Sequence, residues 1–129
     1  MAVRPDFGLV PATEAAAVAV GLVARDVYQL RHGARPITAA LRSGRLRYIA
    51  RDERDRWWSI RDVWRRGGGD CEDLAAAVAA ELIVSGRRAR VVFIRIGPSE
   101  LHAVVRVGRR TLDPSRWGGM PPIREWGPL

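Results

Sequence analysis

At 129 residues the chain has the length of one domain with a core of its own. Its 47% hydrophobic and 28% charged residues belong to a folded protein rather than a disordered one. The longest apolar candidate, "ATEAAAVAVGLVARDVYQL", is broken by Glu14, Arg25 and Asp26 and falls short of the roughly 18 apolar residues of a membrane span.

All 22 basic residues behind the net charge of +8 are arginine, spread from Arg4 to Arg124 instead of lying on one helical stripe, so nucleic acid is not the expected partner. "MAVRPDFG" has a proline and an acid where the apolar core of a secretory segment would begin. The single cysteine permits no internal disulfide, which fits a reducing compartment, and a cytoplasmic location is expected.

Pro11 to Gly33 reads as a helix, with Thr13 as its cap. Its apolar residues Ala16, Val20, Val23, Val27 and Leu30 recur at helical spacing, and Gly33 and Pro36 supply the stop. "RPITAALRSG" reads as a short second helix with Thr38 near its start and Gly44 after its end. Residues 1–45 thus form an N-terminal helical part. "RLRYIA" alternates weakly and fits either a short strand or an extended arm; "ARDERDRWW" is a charged loop. Ser59 and Asp62 match a capping box that opens a helix through Trp64, closed by Gly67.

The glycines 67–69 read as clearance for a close backbone approach, that of a substrate. Asp70 then takes the N-cap position with Asp73 as the reciprocal acid, placing Cys71 on the first residue of an alanine-rich helix. Cys71 shares the inward face of that helix with Leu74, Ala75, Val78 and Leu82. "ARVVFIRI" reads as a central strand. "LHAVVRV" and "RTLDPS" read as a hairpin joined at Gly108 and Arg109, Val107 pairing with Arg110. That register sets Asp113 opposite Val104 and diagonal to His102 on one face of the sheet. The final segment, 117–129, carries Gly118, Gly119 and two adjacent prolines, Pro121 and Pro122. It is expected to be an irregular tail that wraps the domain through Trp117, Ile123 and Trp126.

A thiol on a helix start, an imidazole on a strand and a carboxylate on the histidine's face are the parts of a nucleophilic triad. Each residue also has a purely structural reading. Cys71 suits a packed hydrophobe, His102 a strand histidine bonded to a carbonyl, and Asp113 before Pro114 a turn. His32 reads as structural, at a helix end that favours a cation. Asp70, Glu72 and Asp73 oppose thiolate formation unless they are spent on capping or on arginines. No metal or other cofactor is expected. There is no second cysteine or histidine pair at ligand spacing, and "GGGD" lacks the G-K-[ST] ending of a phosphate loop.

"GGGDCEDLA", "LHAVV" and "GRRTLDPS" together resemble the signature blocks of transglutaminase-like domains in the papain-like cysteine protease superfamily, especially the small bacterial and phage-associated members. The resemblance runs in order and spacing from Tyr48 to Met120. It implies a single α+β domain over 1–129 with a papain-like core, in which N-terminal helices and a Cys-bearing helix pack on a small antiparallel sheet. It implies Cys71 as nucleophile, His102 as base and acid, Asp113 as orienting carboxylate, and acyl transfer or amide hydrolysis on a peptide or other amide-bearing substrate.

The resemblance further implies an oxyanion site built from the Cys71 amide and an upstream donor. The indole of Trp58 is the expected source, Trp57 and Trp64 compete for the role, and Asp70 also borders the site. The glutamine that papain-type enzymes use is not evident, Gln29 being the only one. Phage-associated relatives also imply phage or prophage structural proteins as partners and a virion-associated location, and leave open a catalytically silent interaction module on the same fold.

Overall fold

The computed structural model describes residues 10–50, 57–98, 100–122 and 127–128. The chain is α+β. Helix α1 (Val10–Arg31) and the short α2 (Thr38–Ser43) lead into a two-residue strand β1 (Arg47–Tyr48), then α3 (Ile60–Arg66), β2 (Gly68–Gly69) and α4 (Cys71–Val84). Strands β3 (Ala89–Gly97), β4 (Glu100–Val107) and β5 (Arg110–Leu112) follow, then the one-turn α5 (Pro114–Trp117) and β6 (Gly127–Pro128). Four strands form one antiparallel sheet in the order β5-β4-β3-β6, and β1 and β2 form a separate parallel pair.

Helix α4 is the centre of the fold. It packs against α1, α3, α5, β3 and β4, and every residue from Asp73 to Ala80 is buried. The sequence pattern points to one buried face, but neighbours surround the helix, and its run of alanines is what lets them approach on every side. Among the described residues, no helix is long and apolar enough to cross a membrane.

Helix α1 differs from the sequence expectation in two ways. It already runs from Val10, so Thr13 lies inside the helix and not at its cap. Its buried stripe is Ala19, Leu22 and Asp26, flanked by half-buried Ala15, Val23 and Leu30, while Val20 is 70% exposed. The stripe is turned by one residue from the expected one because a carboxylic acid occupies a core position, which apolar periodicity passes over.

The other helix signals hold. Gly44 ends α2 and Gly67 ends α3, each at φ 86°, and Ser59 and Asp62 close a reciprocal box on α3. The cap of α2 comes from elsewhere: Glu81 of α4 accepts the amides of both Ile37 and Thr38.

The C-terminal segment departs from the irregular tail expected for 117–129. Trp117 closes α5 under the Arg42 guanidinium, 4.1 Å from the ring centroid. Gly127 and Pro128 pair with Arg95 and Ile94, because the outer edge of β3 offers an unpaired ladder there. The expected anchors Ile123 and Trp126, and the charged loop at 51–56, lie outside the described residues.

Candidate active site

The hairpin forms in the register read from the sequence, Val107 with Arg110 and Val105 with Leu112, with no irregularity between them. The irregularity in β4's other pairing falls at Arg95 to Gly97 on β3 and leaves this parity intact. Asp113 follows directly on β5, and its side chain is not spent on capping α5. Both carboxylate oxygens instead reach Nε2 of His102, at 3.0 and 3.1 Å. His102 is 1% exposed, so its imidazole has this carboxylate as a fixed partner, and Nδ1 is the nitrogen left to meet a thiol.

Cys71 is the first residue of α4, where its own amide has no acceptor inside the helix. The thiol is partly buried. The backbone amide of Ala103, the residue after His102, lies near enough to the sulfur to favour its charged form, which puts the sulfur close to β4. Burial first, and then the charge of Glu72, push the thiol well above its usual range, with Asp70 adding to them and the Ala103 amide opposing. The thiol donates to Glu72 Oε1 at 3.5 Å. Burial and the neighbouring Asp70 raise the Glu72 carboxyl in turn. The resting site therefore holds a neutral thiol rather than a preformed thiolate.

The other acids beside the cysteine have structural tasks. Asp70 accepts the Asp73 amide at 3.1 Å, and Asp73 Oδ2 accepts the Asp70 amide at 3.0 Å, closing the predicted capping box. Asp73 Oδ1 also accepts the amide of Trp58 at 2.7 Å. The next two amides are held in the same way: Ser59 donates to Asp62 Oδ2 at 3.1 Å and Ile60 to Asp26 Oδ1 at 2.8 Å. Arg61 follows, donating to Gln29 Oε1 at 3.1 Å. Successive amides 58 to 61 are thus received by side chains from α4, α3 and α1, which fixes the Trp57–Trp58 segment against the start of the Cys71 helix.

The glycines serve this frame and not the substrate clearance read from the sequence. A Cβ on Gly68 would lie 1.9 Å from the Arg47 carbonyl oxygen, and one on Gly69 would lie 2.8 Å from Asp73 Cβ. The room they leave is taken by β1 and by the side chain that braces Trp58.

Of the tryptophans named from sequence, Trp64 donates its indole N–H to the Arg35 carbonyl at 2.8 Å and so is committed away from Cys71. Trp57 and Trp58 are half-buried against the core, with the Arg66 guanidinium 4.9 Å from the Trp58 ring centroid. A groove of about 440 Å³ near α2 is lined by Pro36, Ala39, Arg45 and Trp64 among others and contains none of Cys71, His102 and Asp113. Sequence reasoning missed Asp26, whose only signal is an acid at a core position of α1, and Tyr48, which carries no motif. No group of three or more acids, histidines and cysteines that could hold a metal occurs among the described residues. Comparison with protein-family models, curated proteins and solved structures finds no match to this chain.

Proposed function

We propose that the chain is a thiol-dependent acyl-transfer or amide-hydrolysing enzyme on a papain-like, transglutaminase-like core. The observation that carries this reading is the buried His102 with both Asp113 oxygens on Nε2, on the strand whose next residue, Ala103, has its amide near the Cys71 sulfur. His102 Nδ1 takes the Cys71 proton as the sulfur attacks an amide carbonyl carbon. Asp113 stabilises the imidazolium so formed. The carbon–nitrogen bond then breaks, the imidazolium gives its proton to the leaving amine, and a thioester remains on Cys71. Water or a second amine, deprotonated by His102, attacks the thioester and releases the Cys71 thiol. The Cys71 amide is one donor to the oxyanion, and Trp57 and Trp58 wall the acyl side.

The test is alkylation by iodoacetamide at neutral pH. Stoichiometric modification of Cys71, faster than that of a free thiol and lost in His102→Ala, supports the enzyme. The upward push on the thiol favours a second reading, a catalytically silent interaction module of the phage or prophage structural type. Modification no faster than a free thiol and indifferent to His102→Ala selects that reading over the enzyme.

A further inference from the structure

Tyr48 lies where three parts of the candidate site meet. Its strand pairs in parallel with β2, Tyr48 opposite Gly69, and the Ile49 amide donates to the Gly69 carbonyl at 2.7 Å. Two residues after Gly69 comes Cys71. The Tyr48 amide donates to the Gly118 carbonyl at 2.8 Å, which ties the same residue to the turn that follows Asp113 and α5. Backbone bonds therefore link Tyr48 both to the segment that delivers the thiol and to the segment that follows the carboxylate.

The direction of the Tyr48 side chain follows from the pairing. Partners in a parallel ladder project to one face. The Cβ missing from Gly69 would meet Asp73 on the first turn of α4, so Tyr48 projects to the side where that turn lies. Gly69 has no side chain to block it, and a strand side chain leans along its strand, here in the direction that β2 takes toward Asp70 and Cys71. The phenol is half-buried and packs on the core. It is within electrostatic reach of Cys71, Asp70 and Glu72 at the start of α4 and of Glu100 on β4.

We propose that Tyr48 is a further catalytic residue, its hydroxyl donating a hydrogen bond to the oxyanion that forms when the Cys71 sulfur attacks a carbonyl carbon. This assigns to Tyr48 the upstream donor role that the sequence pointed to in Trp58, and it rests on the acyl-transfer reading above. Cys71 then sits between a donor on β1 and a base on β4, two strands of different sheets, as carbonyl attack needs when charge develops on the oxygen side and a proton leaves on the sulfur side. Asp70 and Glu100 supply no N–H and as carboxylates no O–H, and Glu72 is engaged by the Cys71 thiol through Oε1. Burial and these negative neighbours also push the phenol above its usual value of 10.0, so it remains a donor at neutral pH.

The experiment compares two reactions at Cys71. Acylation by p-nitrophenyl acetate passes through a tetrahedral oxyanion; alkylation by iodoacetamide, a displacement at a saturated carbon, does not. In Tyr48→Phe the acylation burst is expected to slow by about 10²-fold, as for loss of one oxyanion donor, while the alkylation rate stays at the wild-type value and shows that the site is still folded. In His102→Ala both reactions slow. Equal loss of both reactions in Tyr48→Phe, or loss of neither, overturns the donor role and leaves the triad standing. Wild-type acylation and alkylation no faster than those of a free thiol, and unchanged in His102→Ala, overturn the acyl-transfer reading and the donor role with it.

Discussion

Asp113 brings both of its carboxylate oxygens to one nitrogen of His102, at 3.0 and 3.1 Å, although the two residues lie on different strands of the hairpin or its continuation. Removing the partner leaves a buried imidazole with an unmatched polar atom. Asp113→Ala is therefore expected to cost about 1–3 kcal/mol of stability in urea unfolding. Asp113→Asn keeps a carbonyl acceptor and most of that stability but loses the charge opposite the imidazolium. Its acylation by p-nitrophenyl acetate is expected to fall by about 10²-fold or more. Wild-type acylation in Asp113→Asn would remove the carboxylate from the mechanism.

Asp73 joins the start of α4 to Trp58, accepting the amides of Trp58 and Asp70 on its two oxygens. Asp73→Ala leaves both donors without that acceptor and is expected to lower stability by about 2–4 kcal/mol, read from denaturant midpoints. Amide hydrogen exchange should show lost protection at Trp58 and Asp70 before it shows any at β4. Unchanged protection at Trp58 would mean that the brace is not what holds the segment.

Asp26 is fully buried, with Oδ1 on the Ile60 amide and Oδ2 without a partner. Burial raises its carboxyl from 3.8 to about 7, against the pull of the Ile60 amide and of Arg25; Asp73 and Asp62 add to the rise. The folded state then holds a proton that the unfolded chain releases between about pH 4 and pH 7. Stability from this group is fully present below the lower value and declines as pH rises through the window, by on the order of 4 kcal/mol in all. Asp26→Asn keeps an acceptor for Ile60 and removes the titration. The slope of stability against pH between about 5 and 7 is expected to flatten in this variant, and an unaltered slope would assign it to other groups.

Glu72 holds the resting thiol, its Oε1 3.5 Å from the sulfur. Glu72→Gln removes a carboxyl whose charge, as it ionises near about pH 8, opposes the thiolate, so thiolate forms at lower pH. The pH profile of iodoacetamide alkylation is expected to move down the scale, with a faster rate at neutral pH than in the wild type. A profile that stays in place would show that burial alone sets the thiol.

The parts of this molecule legible in its sequence are those in which one residue reports on its own neighbourhood. Ser59 with Asp62 and Asp70 with Asp73 announce helix starts because the box closes within four residues. The pairing of His102 with Asp113 was also legible, because a two-residue turn fixes the register and parity then follows. What was not legible depends on partners far away in the chain. Asp26 reads as a surface acid until Ile60, thirty-four residues on, is seen to donate to it. Glu81 looks like one polar face of α4 and in fact caps α2. Periodicity assigned α4 a single buried face because it records polarity and not crowding, and alanine suits a helix enclosed on all sides as well as it suits an exposed one.

The brace at residues 58 to 61 also separates two kinds of inheritance. Its donors are main-chain amides, which every residue except proline supplies, while its acceptors are the particular side chains of Asp26, Gln29, Asp62 and Asp73. Trp58 can be exchanged for another residue and the segment keeps its path; the acids can be exchanged far less freely. A lineage carrying this fold is therefore free to re-tailor the surface of this segment, one side chain at a time, without rebuilding the scaffold that holds it.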